Sequence, residues 1–260
     1  MTNRRHRITR IIVAFFCMTL LIAGVGRIVT PAYAPVQIRT DLVAPSAEGC
    51  EQARHMHPDK PKRSIDPDAA PPEPIFTSEP LPEHIIAQIT GVTFHPNTPF
   101  PHSHLTYLTI THVGFDGEDH IGHMIVAASI GDEVLDIFRE IYESGFPIYS
   151  IRLIDYFDAC DNLSMAANNS SAFNFRYIAN TTTISRHGFG MAIDINPVQN
   201  PYVRGGNVLP EAGRAYLDRS DVRPGMIVRG DAVYRAFTSR GWTWGGNWNS
   251  LQDYHHFERR

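Results

Sequence analysis

The stretch Leu105-Thr-Tyr-Leu-Thr-Ile-Thr-His-Val113 alternates apolar and polar side chains, which is the period of a half-buried β-strand. Gly114 to Asp119 supplies a turn, and Gly122 to Ser129 (GHMIVAAS) is a second apolar run, so together they predict a β-hairpin. After the hairpin the period changes. Val134, Leu135, Phe138, Ile141 and Tyr142 fall on one face of a helix running to Ser144, with Asp132 as its expected N-cap and Gly145 and Pro147 as its end. Pro147 to Ile154 (PIYSIRLI) and Met191 to Ile195 read as strands, and Asp231 to Arg240 as a helix stopped by Gly241. Trp242-Thr243-Trp244 and Tyr254 to Glu258 supply the last short strands. Hairpin, helix, strands, helix and strands in that order predict an α+β fold: a single small domain, residues 84–260, with a mostly antiparallel sheet flanked by helices.

Upstream of His84 the chain has a different character. Ten of its 19 prolines lie between Pro35 and Pro82. A residue with fixed φ and no amide donor sustains neither helix nor central strand, so residues 35–83 are expected to form an extended tether. Residues 1–34 place Arg4, Arg5, Arg7 and Arg10 before the apolar or small-residue run Ile11 to Gly26, the two parts of an export signal. Ala32-Tyr33-Ala34 offers a cleavage site, whereas Pro35 directly after it resists signal peptidase; a removable signal peptide and a membrane anchor both stay open. Either places the body in the periplasm or on the extracytoplasmic face of the cell membrane.

Composition narrows the classes of function. The 260 residues include 23 basic and 27 acidic side chains, a net charge of −4. Five arginines sit in residues 1–34, so the rest carries 18 basic against 27 acidic groups, or −9. Such a body is a poor nucleic-acid binder, because that affinity comes from neutralising phosphates. Thirteen histidines beside only Lys60 and Lys62 direct attention to metal or proton chemistry. Outside the signal the cysteines are Cys50 and Cys160, and in an oxidising compartment a Cys50–Cys160 disulfide would fasten the tether to the domain.

Two segments hold the chemistry: Ser185-Arg-His187-Gly-Phe-Gly190-Met-Ala192-Ile-Asp194, and Asp253-Tyr-His255-His256-Phe257-Glu258 at the C-terminus. The glycine-rich turn can bring the His187 imidazole beside the Asp194 carboxylate on the following strand. The best source of a third ligand is the His255-His256 pair. Two neutral imidazoles and one carboxylate leave Zn²⁺ a net charge of about +1 and an open fourth position, and a carboxylate off the metal, Asp253, could then take a proton. On a regular strand Asp253 and His255 share one face and His256 the other. A bend between base and ligand is therefore expected if His256 binds metal; the rival arrangement puts His255 on the metal.

These segments resemble the M15 metallopeptidases, the VanY/VanX-like zinc D,D-peptidases and L-alanyl-D-glutamate endopeptidases that act on bacterial peptidoglycan. The first family motif, S-x-H-x-x-G-x-A-x-D, is matched at Ser185, His187, Gly190, Ala192 and Asp194; the second, an acid, two intervening positions and then His, often followed by Phe, at Asp253, His256 and Phe257. Five fixed positions at roughly 6% usage each coincide about once in 10⁶ starts. Ser171-Ala-Phe-Asn-Phe-Arg176, Asp194-Ile-Asn-Pro197 and Gly241-Trp-Thr-Trp-Gly-Gly246 resemble the branch that includes D-alanyl-D-alanine carboxypeptidase-like domains.

The resemblance implies a D,D-peptidase or hedgehog-like fold with zinc at the sheet, held by His187, Asp194 and His256. It implies Asp253 as general base and then acid, Ser185 as a residue orienting substrate or a ligand, and an arginine, Arg152 or Arg176, for the carbonyl oxygen or the substrate carboxylate. The implied substrate is a peptidoglycan stem peptide, cut by D-alanyl-D-alanine carboxypeptidase action. The other readings are an endopeptidase and a zinc-bearing module that binds cell wall without catalysis.

Overall fold

The computed structural model describes residues 73–178 and 181–260. The expected signal segment, most of the expected tether and Cys50 lie outside the described residues. Cys160 is buried and disulfide-bonded. Among the described residues no helix is long and apolar enough to cross a membrane.

In chain order the elements are β1 (Phe76–Pro80), α1 (Glu83–Ile89), β2 (Leu105–Val113), β3 (Asp119–Ala127), α2 (Gly131–Glu143), β4 (Ser150–Ile151), α3 (Asp161–Ala166), β5 (Asn169–Ser170), β6 (Ala192–Asp194), β7 (Tyr202–Arg204), β8 (Asn207–Leu209), α4 (Ala232–Thr238), β9 (Thr243–Trp244), β10 (Gln252–Asp253) and β11 (His256–Glu258). The mixed helix and strand composition is the expected α+β class. The single sheet is not observed: the strands form four small sheets, β1-β2-β3, β10-β7-β8, β6-β11-β9 and the parallel pair β4-β5.

The hairpin is the longest ladder, antiparallel from Leu105 opposite Ala127 to Val113 opposite Asp119, so its second strand begins three residues earlier than the apolar run suggests. Both faces of this sheet are covered. Leu108, Ile110, Met124 and Val126 pack with Val134, Phe138 and Ile141 of α2, while Leu105 and Ile125 face Ile85 and Ile89 of α1 together with Phe94 and Phe173. Within the expected tether, Phe76 to Pro80 add an edge strand to β2. Edge pairing tolerates Pro80 because its missing donor is not needed by a second neighbour.

Two local expectations need correction. Helix α2 starts at Gly131 with Ile130 at its cap position and no side-chain cap bond; Asp132 sits inside the first turn, where its charge still suits the positive helix end. Its C-terminus is as expected, with Gly145 at φ +70° donating its N–H to the Tyr142 carbonyl. The predicted strand Pro147 to Ile154 shrinks to Ser150–Ile151. Beyond it the Asn169 side chain replaces a neighbouring strand, accepting the Arg152 N–H (2.9 Å) and donating to the Arg152 carbonyl (3.0 Å).

Strand alternation builds the site. Ile193, Ile195 and Phe257 enter the main core, so Asp194, His256 and Glu258 point to the opposite face. Because β6 and β11 are antiparallel with Asp194 directly opposite His256, the two polar side chains lie side by side. Ser171 clamps the far edge of Asp194, exchanging two backbone bonds of 2.9 and 3.0 Å with it.

Candidate metal centre

His187 rides on a short 3-10 turn, Arg186–Phe189, capped by Ser185, whose Oγ accepts the His187 N–H at 3.3 Å. Gly190 ends the turn at φ +66°, and a side chain there would meet the Ala127 nitrogen at 2.5 Å; this turn against the end of β3 admits only glycine. The imidazole is fixed by its far side, where Nδ1 donates to the Ala172 carbonyl at 2.7 Å, which turns Nε2 inward.

Three donor groups converge there. His187 Nε2 lies 3.1 Å from His256 Nδ1 and 3.2 Å from Asp194 Oδ2, and His256 Nδ1 lies 3.0 Å from Asp194 Oδ1. Ligands bonded to a tetrahedral zinc at about 2.0–2.1 Å stand about 3.3 Å apart, so the spacing fits that ion. All three residues are buried. The outer face of His256 is held as well: Nε2 is 3.5 Å from Glu258 Oε2, and the Trp248 ring stands 5.4 Å from the imidazole. Orienting contacts of this kind keep a ligand nitrogen aimed at the metal position.

His255 is not in this group of three. Its Nδ1 donates to the Asn200 carbonyl at 2.7 Å, and its Nε2 is 2.9 Å from Asp253 Oδ1 and 4.0 Å from Asp194 Oδ1. The Asp253 approach is close but off the line of a hydrogen bond, and Oδ1 has no other partner, so the contact is ionic. The expected bend is present: a turn at Tyr254 and His255 separates β10 from β11, and the two strands join different sheets. Asp253 is thereby carried beside the cluster rather than away from it. Gly245 allows the approach, since a Cβ there would sit 2.6 Å from the Asp253 carbonyl oxygen.

Burial alone would raise the Asp194 carboxyl; the facing His187 and His255, with hydrogen bonds from His187 and His256, hold it well below the carboxylate range instead. Burial would likewise lower both C-terminal imidazoles. The charges of Asp253 and Asp194 lift His255 to about 9, and bonds to Asp194 and Glu258 lift His256 to about 10. Without a metal the cluster is thus a proton-holding ion network, and a cation is the natural replacement for those protons.

The two arginines differ. Arg176 is committed to Asp161, Nη2 to Oδ2 at 2.9 Å. Arg152 has no side-chain ion pair among the described residues and lines a small pocket that also contains Ala172. The anchoring carbonyls of Ala172 and Asn200 and the Asn169 clamp carry no sequence signal, because any residue can offer a carbonyl and an isolated asparagine reads as loop.

Fold and site define an α+β domain with a buried His/Asp/His cradle that could hold a metal ion. Residues 179–259, which include the whole cradle, match the family model described as D-alanyl-D-alanine carboxypeptidase, a match that supports the resemblance to the M15-type peptidases. No curated protein and no solved structure matches the chain.

Proposed function

We propose that the protein is a zinc-dependent D-alanyl-D-alanine carboxypeptidase acting on peptidoglycan stem peptides outside the cytoplasmic membrane. The observation that carries this is the buried His187, Asp194 and His256 cradle with the Asp253 carboxylate beside it, inside the segment that matches the family. When bound, zinc supplies Lewis acidity that lowers the pKa of a water and polarises a carbonyl.

The protein groups do the rest. Asp253 accepts the proton of the attacking water and returns it to the leaving amine nitrogen. His255 keeps that carboxylate in place through its 2.9 Å contact, itself anchored on Asn200. Arg152, which makes no ion pair among the described residues, is the cation we assign to the terminal carboxylate, a group that an exopeptidase must recognise and an endopeptidase need not. Ser185 acts through the turn that presents His187.

Incubation of the purified protein with a muropeptide pentapeptide, with and without chelator, tests the reading by mass spectrometry. Loss of one alanine is expected. An internal cut would replace the exopeptidase assignment with an endopeptidase one, and no product with zinc added would leave a cell-wall-binding module.

A further inference from the structure

Asp253 stands beside the cradle because the chain bends at Tyr254 and His255, and both residues of the bend rest on consecutive carbonyls. The His255 Nδ1–H donates to Asn200 at 2.7 Å and the Tyr254 N–H to Pro201 at 3.3 Å. Asn200 has no exposed surface, and its side chain is fully engaged. Nδ2 donates to the Ile195 and Gly225 carbonyls, while Oδ1 accepts the Ile227 N–H at 2.7 Å and Arg219 Nη2 at 2.9 Å.

Arg219 ties these parts together. Its Nη1 donates to the Gln199 and Tyr216 carbonyls at 2.7 and 3.1 Å, and its Nη2 also reaches the Ile227 carbonyl at 2.6 Å. The guanidinium carbon lies 4.5 Å from the centre of the Tyr254 ring. Arg219 makes no ion pair among the described residues, so its charge is directed at neutral acceptors and at that ring, contacts that a cation strengthens. Closing the loop between Tyr216 and Ile227 would need only the bonds to those two carbonyls. The further contacts, to Asn200 and Tyr254, fall on the two supports of the bend.

We propose that Arg219 is a positioning residue, which acts through Asn200 and Tyr254 to fix His255 and, through His255, the Asp253 carboxylate beside the cradle. This rests on the peptidase reading of the cradle and adds to it a residue that touches no donor atom of the metal group.

Imidazole N–H resonances of the zinc-loaded full chain, labelled at histidine, test it. His187 and His255 each donate Nδ1–H to a backbone carbonyl at 2.7 Å, so His187 is the reference within the same molecule. Both protons are expected to exchange slowly with solvent in the unsubstituted protein. Arg219→Lys keeps the charge and loses the planar fork. It is expected to retain zinc, to speed exchange of the His255 proton about tenfold or more with His187 unchanged, and to lower kcat on the pentapeptide about tenfold with KM nearly constant. Equal acceleration of both protons would make Arg219 a general brace of the fold and overturn the proposal, as would an unchanged His255 proton or an unchanged kcat. Rapid exchange of the His255 proton in the unsubstituted protein overturns it with no variant needed. If Arg219→Lys loosens His255 alone and the unsubstituted protein cuts no peptide, the positioning role at His255 stands and the peptidase reading falls.

Discussion

The hairpin and the metal cradle both bury histidine, and they treat it in opposite ways. His112 on β2 is buried among apolar neighbours, and burial, with the His120 ring behind it, pushes its imidazole down to about 4 against a bond to the Val113 carbonyl. His255 and His256 are as deeply buried, yet the carboxylates of Asp194, Asp253 and Glu258 lift them to about 9 and about 10. Depth is the same, so the sign is set by what the ring faces. The hairpin is organised to exclude charge and is held by a long ladder; the cradle concentrates charge on strands of two or three residues. One region builds the body and the other gathers groups that could hold a cation.

The contrast is broken most severely by removing a cradle ligand. His187→Ala or His256→Ala is expected to lose bound zinc and to lower hydrolysis about a thousandfold or more, as elemental analysis and peptide turnover would show. His255→Ala is expected to keep zinc and to lose about 10- to 100-fold in turnover, because it supports Asp253 rather than the metal. Loss of zinc in His255→Ala with retention in His256→Ala would reverse the two roles. In the hairpin the matching experiment leaves the metal untouched. Leu108→Ala removes a side chain with no exposed surface and is expected to cost about 2–5 kcal/mol in denaturant unfolding, with zinc stoichiometry unchanged in the folded protein.

Those effects separate what a reader of the sequence could have seen from what only the fold reveals. The hairpin was legible because its alternation runs over nine residues per strand, long enough for one face to repeat. The cradle was legible for another reason: a metal fixes residue types and spacing, so His187, Asp194 and His256 stand out even though β6 and β11 have three residues each. The region from Pro147 to Ile154 reads as a full strand because the alternation is there, while beyond Ile151 the partner is the Asn169 side chain. Edge strand β1 hid among prolines. Arg152 and Arg176 are both candidates in the sequence, and only the fold shows Asp161 claiming Arg176.

Titration sharpens the same comparison with smaller effects. His112 has a folded value below the ordinary 6.5, so the unfolded chain binds the extra proton first; hairpin stability falls as pH drops from about 6.5 to about 4, by on the order of 3 kcal/mol in all. His112→Gln is expected to flatten that acid limb in pH-dependent unfolding. The metal-free cradle has the opposite sign. His255 and His256 are raised, so their contribution is complete below about 6.5 and is lost as pH climbs through about 9 to 10. Zinc must displace the proton on His256, so uptake near pH 7 is expected to release about one proton per ion, read by calorimetry in buffers of different ionisation heat. Uptake without proton release would show that His256 is already neutral before the metal arrives.

The smallest expected effect tests how a single cap serves the cradle. Ser185 touches no donor atom of the metal group; its hydroxyl accepts the His187 N–H at 3.3 Å and so closes the turn that carries the imidazole. Ser185→Ala removes a cap and is expected to cost about 1 kcal/mol of stability. Because the Ala172 carbonyl still holds His187 Nδ1, zinc is expected to remain, bound more weakly. Turnover should fall through kcat with KM nearly constant, and Ser185→Thr, which keeps the accepting oxygen, should restore it. A rise in KM alone would mean that the hydroxyl meets the peptide directly, and the turn would then be held by Gly190 and Ala172 without its help.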